Sequence, residues 1–169
     1  MRAADQTTVP HRAAPRITEA LMATTPAAQA FRVIGDLREL ARGIGYEVVV
    51  QPGPMDAIGV VVWEIATVSV NSRFPVERQA EELIYIMALL IERHERRGGG
   101  LQLTFCQQAQ VVDTVAAGIC SEIGLSSNRT TSLEIAGVWD GFAPAALGEV
   151  EDLVARVGAR ITEHVIPQR

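Results

Sequence analysis

The chain has 169 residues, 48% hydrophobic and 21% charged. That balance fits one domain of ordinary size, and it excludes both a disordered chain and a small scaffold that depends on staples. The formal net charge of −5 argues against a general nucleic-acid binder, which carries a basic face, and leaves room only for a local arginine patch. All 15 basic residues are Arg and none is Lys.

Residues 1–16 alternate Ala with Arg, Asp, Thr and Pro and read as a flexible tail, with no apolar stretch of the kind a secretion signal needs. Residues 17–169 read as a single domain. A short helical stretch from Ile17 to Met22 opens it. Thr25-Pro26 then has the form of a helix cap followed by proline at the first helical position. Ala30, Val33, Ile34, Leu37, Leu40, Ala41 and Ile44 continue as one apolar stripe, stopped by Gly43 and Gly45.

Tyr46 to Val50 is a β-branched run ended by the turn signal Gln51-Pro52-Gly53-Pro54. Ile58 to Trp63 and Ile65 to Val70 read as two more strands, the second alternating Thr67, Ser69 and Asn71 with Ala66, Val68 and Val70. Gly59 marks a bulge or a close backbone approach. Three consecutive strands predict a small meander sheet.

Pro75 opens a helix that runs to about Arg97 and is stopped by Gly98-Gly99-Gly100. Its middle, Leu83 to Ile91, is apolar around the whole circumference, which predicts burial on all sides. Both of its ends are charged, and the C-terminal one, His94 to Gly98, reads as a solvated terminus. At nine residues this run is also the longest uncharged apolar stretch, far short of the ~20 that a membrane span requires. No membrane association and a cytoplasmic location are therefore expected. Gln107 to Ile123 forms a second core helix, Ser126 to Ser132 a polar loop, and Pro144 to Val165 a final amphipathic helix.

The two cysteines, Cys106 and Cys120, form no CxxC pair and are expected as reduced, buried thiols. Gly98-Gly99-Gly100 follows a helix, whereas a phosphate cradle precedes one. His94-Glu95-Arg96-Arg97-Gly98 begins like the zinc motif His-Glu-x-x-His but ends on glycine, so it offers one imidazole where the metal needs two on one helical face. His11 and His164 have no evident partner.

The order of elements is more informative. A helix, three strands and two buried helices, with Val70-Asn71-Ser72, Glu77-Arg78-Gln79-Ala80, Gln107 to Gly124, Leu125-Ser126-Ser127 and Ile135 to Gly141 in sequence, resemble the ImmA/IrrE family of small zincin-like metallopeptidases. Within it, the chain is most similar to the ArdC-type antirestriction relatives of high-GC bacteria. The resemblance spans about residues 26–165, and it rests on the run of segments in order. It implies an α+β, zincin-like fold: a small meander sheet packed against buried helices, with a C-terminal helix.

The resemblance also implies a loss. Carried over without gaps, the family's His-Glu-x-x-His falls on Tyr85-Ile86-Met87-Ala88-Leu89. The two histidine ligands become Tyr85 and Leu89, the catalytic glutamate becomes Ile86, and the third ligand, a carboxylate on the next helix, falls on Asp113. A histidine that some members carry beyond the motif would be His94. A shifted register, Glu81 to Tyr85, keeps Glu82 but gains no histidine. Neither register holds zinc, so no metal and no cofactor are expected. Two readings follow. One is a non-catalytic regulatory protein that binds a protein partner. The other is a metal-independent enzyme or small-molecule binder that reuses the old cleft through Tyr85, Asp113, Glu82 and His94, where a Tyr–Asp pair would suit acid–base work.

Overall fold

A computed structural model describes residues 25–96, 101–127 and 141–166; the tail, the expected Ile17–Met22 helix, the glycine run, most of the Ser126–Ser132 loop and all but the last residue of Ile135–Gly141 lie outside them. The elements are helix α1 (Pro26–Gly43), strands β1 (Glu47–Gln51), β2 (Gly59–Val62) and β3 (Thr67–Asn71), and helices α2 (Val76–Arg96), α3 (Phe105–Glu122) and α4 (Leu147–Val165). The protein is thus a mixed α+β domain.

The helix ends follow their sequence signals. The Thr25 side chain accepts from the Ala28 amide at 3.3 Å, with Pro26 in the first turn. At the other end of α1, Gly45 takes φ +87, the left-handed turn that a side chain resists. Thr104 and Gln107 form a reciprocal capping box at the start of α3.

The sheet is not a meander. Its order is β1-β3-β2, with β1 parallel and β2 antiparallel to β3. β-branched runs, with alternation in the third, mark the three strands locally, but strand order is set by the connection. Residues 52–58 arch over the end of β3 and are tied down by Asn71, the last residue of that strand. The Asn71 side chain accepts from the amides of Gly53 (2.9 Å) and Arg73 (3.1 Å) and donates to the carbonyls of Pro54 (2.5 Å) and Ala57 (3.1 Å). A buried amide bonded on all sides is strongly directional, and this one holds β2 on the far side of β3 from β1. β2 and β3 then join through a 3-10 turn, Trp63–Ile65, closed by Ala66 in the left-handed region at φ 48.

One face of the sheet carries Val48, Val68 and Val61 side by side, and Val50, Val70 and Gly59 in the next row. α2 packs against this sheet and against α1, α3 and α4. Its Leu83, Ile84, Ile86, Met87, Ala88, Leu90 and Ile91 are buried, as the apolar run predicts. Burial is not complete around the helix, because Tyr85 and Leu89 are only half-buried. Among the described residues no helix is long and apolar enough to cross a membrane.

Candidate functional site

Glu82, Tyr85 and Leu89 recur at the spacing that puts side chains on one face of a helix, and all three are half-buried. Within the run Leu83 to Ile91, Tyr85 and Leu89 are the two positions left partly open. Ile86, between them, is 3% exposed. Asp113 is half-buried on α3, the helix that packs beside α2. Glu82, Tyr85 and Asp113 each have an interaction partner.

β2 presses onto the same stretch of α2. A Cβ added at Gly59 would lie 2.7 Å from Cδ1 of Ile86 and 2.8 Å from Cγ of Glu82. Gly59 is therefore the close backbone approach that its place in a strand suggested. Gly59→Ala is expected to cost ~1–3 kcal/mol by overpacking. Ile86→Val, which deletes the nearest carbon, is expected to recover part of that loss in the double variant. Urea unfolding of the two single variants and the double reads the coupling; strictly additive losses would mean that the two residues do not share this space.

His94 lies elsewhere. It is exposed, nine residues beyond Tyr85 and so about 13 Å farther along the helix. It lines a small cavity with Ile44, Tyr46, Trp63, Leu90 and Arg93. There the Arg93 guanidinium sits 4.4 Å from the centre of the Trp63 ring, and Tyr46 meets Trp63 edge-on. His94 is thus not gathered with Tyr85 and Glu82 into one polar cluster. Among the described residues no three His, Cys, Asp or Glu side chains form a group able to hold a metal ion.

Two further carboxylates are more deeply placed than any of the expected site residues. Glu92 has no exposed surface. It pairs with Arg96 one turn on, and it accepts from the Gln108 side chain of α3 at 2.5 Å. Glu81 is 2% exposed, pairs with Arg78 at 2.5 Å, and accepts from the Ser127 hydroxyl at 3.2 Å. Glu95 reaches α4, pairing with Arg160 at 3.0 Å and Arg156 at 3.7 Å. The charged ends of α2 are therefore polar joints to neighbouring segments and not simply solvated termini. The sequence signal was present in the Glu92-to-Arg96 spacing and in a buried stripe that continues past Ile91.

The cysteines separate. Neither is in a disulfide; Cys120 is buried, as expected, whereas Cys106 is exposed in the first turn of α3. The apolar stripe of that helix begins only at Val111, one and a half turns later.

In comparisons with family models, curated proteins and solved structures, the chain matches none of them.

Proposed function

We propose that the protein is a catalytically retired, zincin-like protein that acts by binding a partner, without zinc and without peptide cleavage. One observation carries this reading most. The two positions that the ungapped resemblance assigns to histidine ligands, Tyr85 and Leu89, are the two half-buried positions of the run Leu83 to Ile91, while the position assigned to the catalytic glutamate holds Ile86, buried against Gly59. A zinc site needs polar groups at all three, each satisfied by metal or hydrogen bonds. Apolar side chains at two of them remove that demand and fill the space with packable volume.

Exposed apolar side chains on the β2–β3 hairpin and its approach add to the partner-binding reading. Met55 is 63% exposed, Val60 52% and Ile65 68%, side chains that a bound partner would cover.

A cleavage assay tests the proposal. The protein is incubated with equimolar zinc and a broad pool of quenched fluorescent peptides, with and without a chelator. No chelator-sensitive cleavage is expected. Turnover that the chelator abolishes would overturn the reading.

A further inference from the structure

A cavity of about 400 Å³ is lined by Arg38, Arg42, Gly45, Tyr46, Glu47 and Val48. It lies where the last turns of α1 meet the edge of β1 that no described strand pairs with. The chain reverses tightly here. Gly45 donates to the Arg42 carbonyl at 3.1 Å and Tyr46 to the Ala41 carbonyl at 2.9 Å, which pins the start of the strand beside the helix.

The direction of the strand's backbone groups follows from two bonds. The Glu47 amide donates to the Ala66 carbonyl at 2.9 Å, and the Gln51 carbonyl accepts from the Ser72 amide at 3.0 Å. Backbone groups of successive strand residues point to opposite edges. Glu47, Val49 and Gln51 therefore face β3, and Val48 and Val50 turn their amides and carbonyls to the open edge. Val48 is 4% exposed and is part of the cavity wall. Among the described residues, no hydrogen bond of the Val48 or Val50 backbone accounts for this outer side of the strand. A strand edge with unpaired amides and carbonyls is a template for pairing with another chain.

The charges at this edge select the ligand. Arg38 and Arg42 lie one turn apart on one face of α1 and are both exposed. Arg38 has no ion pair among the described residues. Arg42 meets Glu39 at 3.5 Å, but both side chains are about three-quarters exposed (74% and 76%), and so open a pair is easily exchanged. Glu47 contributes a carboxylate at the rim and Glu39 meets Arg42, so Arg38 is the guanidinium left to pair, and Arg42 is held only through the open pair with Glu39.

We propose that this edge binds an extended segment of another protein as an additional strand, with an acidic side chain of that segment held by Arg38 and Arg42. The backbone of the segment bonds to Val48 and Val50, and its carboxylate meets the guanidiniums as charge-assisted pairs. A nucleic-acid strand would satisfy the arginines but lacks alternating amides and carbonyls to match the strand edge. This places one surface on the partner-binding reading, and its failure would leave the zinc question untouched.

The test uses the full chain and two pools of blocked nonapeptides, built from valine, threonine and serine around a central glutamate or a central glutamine. The glutamate pool is expected to bind at least about tenfold more tightly, and to slow hydrogen exchange at the Val50 amide while leaving that of Val49 unchanged. The double variant Arg38→Ala, Arg42→Ala is expected to erase the preference for glutamate. Val50→Pro removes an amide that faces outward and takes no part in the pairing with β3, a place where an edge strand tolerates proline. It is expected to abolish binding of both pools while the melting temperature shows a folded protein. The exchange measurement reads the same bond in the unaltered chain if that variant does not fold. Absence of binding by either pool, unchanged Val50 exchange in the bound state, or binding of single-stranded oligonucleotides in preference to the glutamate pool would overturn the proposal.

Discussion

Glu92→Ala is expected to destabilise the fold by about 3 kcal/mol, because it strips a half-buried arginine and a half-buried amide of their common buried acceptor. Glu92 is fully enclosed between α2 and α3, and its carboxylate is the meeting point of Arg96 and Gln108. Alanine leaves a cavity and two unpaired polar groups. Arg96, at 21% side-chain exposure, recovers some hydration, and this keeps the loss below the upper end for broken buried pairs. Glu92→Gln keeps an acceptor for Gln108 and loses the charge, so its loss is expected to fall between wild type and alanine. The paired replacement Glu92→Leu, Arg96→Leu removes both charges together and is expected to cost less than Glu92→Ala, since well-packed apolar residues often substitute for a buried ion pair. Urea unfolding across the series measures these differences. A Glu92→Ala loss below ~0.5 kcal/mol, the range of an ordinary surface change, would show that the joint carries no weight.

Much of this fold was legible in the sequence where the signal is local. Thr25-Pro26 and Gly45 mark the ends of α1, because caps depend on a few neighbouring residues and their backbone angles. The three strands are legible as β-branched runs, with alternation in the third. Their order is not, because a run of valines does not say which strand is its neighbour, and the deciding interaction joins Asn71 to a loop 14 to 18 residues earlier. The same reason explains Glu81 and Glu92. A charged residue at the end of a helix looks solvated until the segments that bury it, around Ser127 and Gln108, are in place. Of the expected site residues, Tyr85 and Glu82 share a helix face, and Asp113 sits on the helix alongside. His94 joins them only through the resemblance, and a rise of about 1.5 Å per residue carries it well away along the axis.

The central claim is that a zinc site once occupied α2 and was filled in without loss of the backbone that held it. Tyr85→His, Ile86→Glu and Leu89→His together reverse the loss. Histidines at 85 and 89 would lie four residues apart on the half-buried face of α2, where both imidazoles reach one metal, and Asp113 on α3 would be available as a third ligand. Without metal the triple variant is expected to lose ~3 kcal/mol or more, most of it from a carboxylate at a position that is 3% exposed in the present chain. Zinc bound only by the folded state offsets that loss by mass action, about 2.7 kcal/mol at a hundred times the dissociation constant. The decisive measurement is the melting temperature of the triple variant with and without zinc, beside the same variant carrying Asp113→Ala. The account predicts a rise of several degrees with zinc in the triple variant and a clearly smaller rise once Asp113 is removed. A folded triple variant whose melting temperature does not respond to zinc would contradict it.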